Sequence, residues 1–424
     1  MLVYFKVGNY KSIKDPVLIN FNSVAINEHS QTNVYDDGKI NLLKSIVLYG
    51  PNASGKSKIL DAFVFFRKLI LRSASDGHSR DIIETESFRL NNFTKNQPSF
   101  FEAEFLIGKK RYRYGFEVNT EHVQKEWLLE IKATTQKPVF LRIEQEFEIN
   151  EKSVPDAGGL EGRTRKNALF LSVADQWNVA LAERIIKWFD SIYTIDGLKE
   201  KAFKSVTTKM LKNKLYTSLI NSLVNKADLG ISGLEVVDGA SEYQYLRSLN
   251  SSYEFDSHTD EKNQNDINAI HEVLDDNGNF IEKVRFSLEK MESEGTQKFY
   301  NLTGVFLEAI IEGRLVIIDE FDARMHTMLS TAILHLFNSR DFKSKAQLLA
   351  ACHDTALLDK DLLRRDQIYF VEKNQLRSTT VTNLVEYKAR KETPFQKNYL
   401  EGKYGAIPFI ENLESIISDG EETE

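Results

Sequence analysis

Cysteine is nearly missing from this chain of 424 residues, where Cys352 stands alone. A single thiol excludes a disulfide framework and any zinc or iron–sulfur centre built on cysteines, and it suits a reducing compartment, so a cytoplasmic location is expected. Proline is scarce at 7 residues beside 21 glycines. With 42% apolar and 28% charged residues, collagen-like, mucin-like and wholly disordered chains are excluded. Long apolar runs are missing too. Phe63 to Phe66 and Leu302 to Ile311 reach at most about half of the roughly 20 residues that cross a bilayer, so no membrane partner is expected. The start, Met1-Leu-Val-Tyr-Phe-Lys6, lacks the basic segment and cleavage site of a secretory signal and reads as a first strand. An excess of positive charge is absent as well: 55 Lys and Arg face 62 Asp and Glu, a net charge of −7. That balance does not favour a general polyanion binder, while leaving room for a local basic groove. The eight histidines show no close pair such as H-E-x-x-H, which argues against a histidine metal centre.

The length is a prior of about three domain-sized units. In the first third, Leu2 to Val7, Val17 to Phe21, Ser45 to Tyr49, Phe100 to Ile107 and Arg111 to Val118 read as five strands of a mixed sheet, the last two joined at a turn opened by Gly108. From about Ala174 to Val224, apolar residues recur at helical spacing, among them Trp177, Leu181, Ile185, Trp188 and Phe189. Residues 238–268 lose periodicity, above all in His258 to Asp266, and read as a mobile loop. A hairpin is predicted next, Ala269 to Leu274 and Phe280 to Leu288 around Asp275-Asp-Asn-Gly278. The tail Asp419 to Glu424 is short and acidic, and no sustained heptads predict a long coiled coil. The division expected is an N-terminal lobe with a β-rich subdomain over 1–175, a helical lobe with the loop over 176–280, and a C-terminal lobe over 281–424.

Gly50-Pro51-Asn52-Ala53-Ser54-Gly55-Lys56-Ser57 matches G-x-x-x-x-G-K-[ST] between an apolar strand and a helical run. In such a loop the glycines, with the residues between them such as Asn52, let backbone amides close around phosphate oxygens. Lys56 reaches the β- and γ-phosphates of ATP, and Ser57 ligates Mg2+. Downstream, Leu315-Val-Ile-Ile318 is apolar at consecutive positions and ends in Asp319-Glu320. That pattern suits a parallel strand buried on both faces, carrying its terminal carboxylates to the edge where ligands bind. Asp319 would then hold the Mg2+ shell and Glu320 would polarise the attacking water.

Ser293-Glu-Gly-Thr-Gln297 precedes a helix with apolar positions Phe299, Leu302, Phe306, Ala309 and Ile310. Alone, Ser293 is an ordinary N-cap; beside the other motifs, Ser293 and Gly295 form a second anion site. Gln347 to Cys352 is another buried-strand candidate, and it ends at His353, which could hydrogen-bond a γ-phosphate.

Taken in order, these segments resemble Walker A, signature, Walker B and switch histidine of ABC-type ATPase heads in the SMC and OLD branch. Phe5 to Ser12 looks like that branch's opening strand and turn, with Lys11 approaching the nucleotide, and Met325-His326 falls at the D-loop. More narrowly, Arg165 to Ser172, Asp366-Gln-Ile368 and Tyr399 to Pro408 look like the AAA-15 family, which includes the RloA-, AbiL- and PARIS-type ATPases of phage-defence operons. Two departures stand out: Glu294 replaces the signature's usual second-position glycine, and Gln97 is only a weak match for the Q-loop.

The resemblance implies an α/β ABC-type head with a mixed β-sheet lobe, a helical lobe and no long coiled coil. It also implies that two heads sandwich ATP, each nucleotide lying between one copy's P-loop and the other's signature, in a homodimer or higher homo-oligomer. The function it implies is an ATP-dependent sensor or scaffold of an antiviral, abortive-infection system, hydrolysing ATP and controlling a separately encoded nuclease or toxin. The alternative is an SMC-like DNA repair or clamp ATPase, for which Lys199, Lys201, Lys204, Lys209, Lys212 and Lys214 could line a nucleic-acid groove. A self-contained OLD-type nuclease is disfavoured, since only about 70 residues follow His353 and Asp359-Lys-Asp361 reads as a helix-initiating turn.

Overall fold

The computed structural model describes residues 1–132, 135–227, 229–237, 267–340 and 344–407. The loop stretch His258 to Asp266 and the tail Asp419 to Glu424 lie outside the described residues. Two large sheets organise the rest. One is a seven-stranded antiparallel meander in the spatial order Glu146–Ile149, Gln136–Ile143, Val123–Ile131, Lys110–Val118, Ser99–Ile107, Leu2–Gly8 and Val17–Asn20. The other runs Tyr193–Asp196, Leu315–Asp319, Gln347–Ala351, Ser45–Tyr49, Ile368–Lys373 and Thr379–Asn383. Its first five strands are parallel and the last is antiparallel.

The five-residue strands at the centre of this second sheet are buried on both faces. In Ser45–Tyr49, Ile46 and Leu48 join one core while Val47 and Tyr49 join the other. Strand side chains alternate between faces, so an uninterrupted apolar run is what two covered faces require. Helix Lys56–Arg72 covers the first face and lies between the two sheets, burying Ile59, Leu60, Phe63, Phe66 and Ile70 at helical spacing. Helices Glu294–Glu312 and Thr327–Phe337 bury their apolar residues in the core on the second face.

Phe66 is the centre of the first core. Its ring lies within 6.3 Å, centroid to centroid, of Phe5, Phe63, Phe101, Tyr114, Phe116 and Phe189, and it is fully buried. Phe66→Ala is therefore expected to cost about 3–5 kcal/mol of unfolding free energy, because the rings around it belong to five elements that cannot all collapse inward. Urea denaturation followed by fluorescence checks this, and a loss below about 1 kcal/mol would mean that the aromatic cluster is not the anchor between the sheets.

Three features differ from the sequence reading. The five early strands divide between two sheets: Ser45–Tyr49 leaves its neighbours to pair with Gln347–Ala351 and Ile368–Lys373, partners about 300 residues away that no local pattern announces. The meander also gains Val123–Ile131, Gln136–Ile143 and Glu146–Ile149. Their alternation is masked by a buried polar network in which Glu126 faces Arg142 and accepts from the Phe170 and Leu171 amides and the Tyr114 hydroxyl. Tyr193–Asp196 interrupts the expected helical run because it pairs with Leu315–Asp319. The hairpin is as expected, Ile267–Leu274 with Phe280–Ser287, its turn held by the Asp275 carboxylate. Among the described residues the longest helix has 19 residues, so no long coiled coil is present there, and none is long and apolar enough to cross a membrane.

Candidate functional site

Because the first five strands are parallel, their C-terminal ends share one edge of the sheet. Strand order then places Leu315–Asp319, Gln347–Ala351 and Ser45–Tyr49 side by side. The segments after them, Glu320 onward, Cys352-His353 and Gly50 onward, emerge within about 10 Å of one another at ordinary strand spacing. This topology brings the candidate residues together, from positions 50, 320 and 353 of the chain.

The loop from Gly50 to Ser57 is tightly clasped. A Cβ on Gly50 would stand 2.1 Å from the Val371 carbonyl oxygen, and one on Gly55 would stand 2.1 Å from Thr379 Oγ1. Gly55 also has φ 113°, so glycine is required there twice over. Thr379 is the clasp: its hydroxyl donates to the Ser54 carbonyl at 3.0 Å, lies 2.8 Å from Ser12 Oγ, and accepts from Lys373 Nζ at 3.0 Å. The motif could not announce Thr379, because it lies more than 320 residues from the loop it holds.

Lys56 is buried, and its ammonium donates to the loop's own Gly50 and Pro51 carbonyls at 2.6 and 3.2 Å. Burial lowers its pKa, while the charges of Glu320, Asp319 and Asp322 act in the opposite sense. Among the described residues no carboxylate comes within ion-pair distance of it. Ser54 Oγ is buried without a hydrogen-bond partner, and Asn52 is exposed. Two glycine positions with no room for a side chain, an orphaned hydroxyl and an ammonium satisfied only by carbonyls form a cradle that fits a polyphosphate. Ser57 opens the helix beside it, as a hydroxyl able to ligate a cation held by that polyphosphate.

Across the edge, Asp319 is half-buried and its carboxylate accepts from the Glu320 amide at 3.1 Å. Glu320 adopts φ 49°, a left-handed conformation uncommon for a residue with a side chain. Its carbonyl is held by Lys298 Nζ at 3.0 Å, and the same ammonium reaches the Ala323 carbonyl at 2.6 Å. Lys298 is fully buried, its pKa lowered by that burial. The motifs single out neither Lys298 nor Asp322, whose carboxylate accepts from the His353 and Asp354 amides. A lysine on a helix face otherwise occupied by apolar residues was the available signal for Lys298. His353 Nε2 stands 3.9 Å from Glu320 Oε1, with about a third of each side chain exposed.

Ser293 caps helix Glu294–Glu312, its hydroxyl accepting from the Thr296 amide at 3.2 Å. A Cβ on Gly295 would stand 2.6 Å from the Arg324 carbonyl oxygen, so the segment from Ser293 to Gly295 abuts the turn that follows Glu320. Among the described residues, no hydrogen bond or ion pair joins residues 293–295 to the loop Gly50–Ser57. Lys11 lies beside the P-loop helix rather than the loop, pairing with Asp61 at 3.2 Å. Gln97 is exposed, its carbonyl accepting from Asn9. Asp359 caps its own turn through the Asp361 amide, the bland reading of that pair of acids. Of the six lysines between 199 and 214, Lys199 pairs with Asp196 and Lys204 with Glu289.

Comparison with curated proteins gives no match. Among solved structures, an SMC head domain from Thermotoga maritima is similar at 12% identity and TM-score 0.42, covering 90% of this chain and 98% of that one. An SmcHead bound to the C-winged helix domain of ScpA is similar at 13% identity and TM-score 0.48, covering 91% and 99%. A family model described as "AAA domain, putative AbiEii toxin, Type IV TA system" matches residues 45–359, from the P-loop strand to beyond His353. With well over half of its length matched, the chain belongs to this AAA family.

Proposed function

We propose that this protein is an ABC-type ATPase that binds ATP with Mg2+, hydrolyses it, and uses the ATP state to control a separately encoded nuclease or toxin in a cytoplasmic antiviral system. The observation that carries the hydrolytic part is the meeting of Lys56, Asp319, Glu320 and His353 on one sheet edge, with Glu320 and His353 3.9 Å apart. Lys56 and the loop amides, from Gly50 through Asn52 to Gly55, bind the phosphates; Ser57 and Asp319 would hold Mg2+, which would supply charge neutralisation to the phosphates. Glu320 takes the proton of the attacking water, and His353 steadies the γ-phosphate. Lys11, tied to Asp61, borders the P-loop helix as part of the nucleotide-binding surface. Phosphate release by the purified protein with MgATP tests the reading, and a rate no higher than that of a Lys56→Ala control would sink it.

The partner across the nucleotide is a second copy. Ser293 and Gly295 make an anion site at the head of a 19-residue helix, yet among the described residues no hydrogen bond or ion pair ties them to the P-loop of their own chain, so a phosphate must be brought to them. Ser293→Arg should leave ATP binding intact and remove ATP-dependent dimerisation. Mixed with Lys56→Ala, it should restore at most the one competent site formed by an intact P-loop and an intact signature. A Ser293→Arg protein with wild-type turnover and an unchanged dimer fraction by light scattering would contradict the sandwich.

The antiviral role rests on the family's description, which names a toxin and a toxin–antitoxin system, and on the AAA-15-like segments Arg165 to Ser172 and Tyr399 to Pro408. An adjacent nuclease or toxin reading frame would favour it, and an isolated gene would weaken it. The runner-up is an SMC-like DNA clamp, whose groove would run along Lys199 to Lys214. The internal pairing of Lys199 and Lys204 argues against that groove. DNA affinity measured over a salt series decides between them: a slope near zero in log K against log salt removes the clamp.

A further inference from the structure

We infer that Asp322 is a positioning residue whose carboxylate sets the place of His353 against Glu320, and that it does so through the backbone rather than by touching nucleotide. Its catalytic consequence rests on the ATPase reading above, whereas the contact itself does not.

The geometry is a pair of reciprocal stitches between neighbouring loops. Strands Leu315–Asp319 and Gln347–Ala351 are parallel partners, and their ladder runs on past the strand ends, the Phe321 amide donating to the Ala351 carbonyl at 3.0 Å. Asp322 then closes it. Its two carboxylate oxygens lie 3.2 and 3.0 Å from the His353 amide, and the second also accepts from the Asp354 amide at 2.6 Å. From the other loop, the Asp354 carboxylate accepts from the Ala356 amide at 2.9 Å and from the Thr327 hydroxyl, and Thr327 begins helix Thr327–Phe337. One carboxylate reaches from the acid turn to the histidine loop, and the other reaches back to the end of the acid turn.

Hydrogen bonds from amides to an ionised acceptor are of the stronger class, roughly twice a neutral bond. The side-chain approach they govern is loose by comparison, since 3.9 Å between His353 Nε2 and Glu320 Oε1 exceeds hydrogen-bond length. The imidazole's position is therefore inherited from its backbone, and that backbone is held at residues 353 and 354 by Asp322. Both Asp322 oxygens are engaged by amides, which leaves this carboxylate poorly placed to serve as a metal ligand, in contrast to Asp319.

The test uses the full chain carrying Asp322→Ala, the near-isosteric Asp322→Asn, His353→Ala and the double variant Asp322→Ala/His353→Ala. Asp322→Ala should keep ATP affinity within about threefold of wild type and lower kcat by roughly 10²-fold, the scale of an ångström-sized misplacement. Asp322→Asn should fall between, because its one amide oxygen can still accept. In the His353→Ala background, Asp322→Ala should change kcat by no more than about twofold, since both substitutions remove the same placement. Fully additive losses, or a raised KM with kcat unchanged, would overturn the inference. Amide hydrogen exchange over residues 352–356 should quicken by about tenfold in Asp322→Ala and stay unchanged in Glu320→Gln. Unchanged exchange would refute the stitch even in an active ATPase. A wild-type chain without turnover would refute the catalytic role together with the ATPase reading, while exchange would still decide the contact.

Discussion

Lys56→Ala is expected to abolish ATP binding. The loop presents one ammonium to the phosphates; the nearby Lys58 and Lys11 are each paired with Asp61 at 3.2 Å, so neither is placed to substitute. The methyl group left behind cannot donate to phosphate or to the Gly50 and Pro51 carbonyls that Lys56 now satisfies. Titration calorimetry should show no binding heat. Thermal unfolding gives an independent reading, because a ligand at 100 times its Kd stabilises the folded state by about 2.7 kcal/mol. Wild-type protein should gain that increment with ATP, and Lys56→Ala should gain none. Full affinity in the variant would mean that the clasped loop Gly50–Ser57 is a strand-to-helix turn and nothing more.

Glu320→Gln is expected to bind ATP normally and to turn it over about 10²- to 10⁴-fold more slowly, the usual contribution of a positioned general base. Glutamine keeps the size of the side chain and leaves the Glu320 carbonyl to Lys298, so the left-handed turn should survive. What is lost is the ability to take a proton from water. With binding intact and hydrolysis blocked, an ATP-loaded dimer should accumulate, visible by light scattering and reversed by removing Mg2+. Steady-state phosphate release at the wild-type rate would return Glu320 to an ordinary strand end and shift attention to His353 as the group that orients water.

The two variants probe opposite sides of the site, and the sides differ in how openly the sequence displays them. Gly50 to Ser57 is contiguous, so its glycines, lysine and serine can be read together. The same holds within Leu315 to Glu320, where four consecutive apolar residues before two acids suit a strand covered on both faces. What holds these segments is hidden. Thr379 clasps the P-loop from the edge strand, Lys298 holds the Glu320 carbonyl from a helix begun at Ser293, and Asp322 grips two amides one strand away. Each is a single polar residue whose meaning depends on a partner distant along the chain, and periodicity carries no information about such partners. Lys11 shows the reverse. Its place in the opening turn was legible, but its charge is directed at Asp61, on the P-loop helix, by packing that the opening segment alone does not specify.

The sequence by itself determined the chemistry on offer: one loop able to cradle phosphate, one acidic strand end, a serine and glycine at a helix start, a histidine after a buried strand, and a composition that builds an α/β core without disulfides. These are local properties, set by side-chain size, alternation and backbone freedom over five to twenty residues. Only the tertiary structure decided which strands lie side by side. Ser45–Tyr49 could have continued the antiparallel meander beside it; instead it sits between Gln347–Ala351 and Ile368–Lys373, where both its faces are buried. Burying two apolar faces outweighs the entropy of closing a loop of about 300 residues, because that cost grows only with the logarithm of loop length while burial grows with area. That pairing, together with the one between Leu315–Asp319 and Gln347–Ala351, carries Gly50, Glu320 and His353 to a common edge.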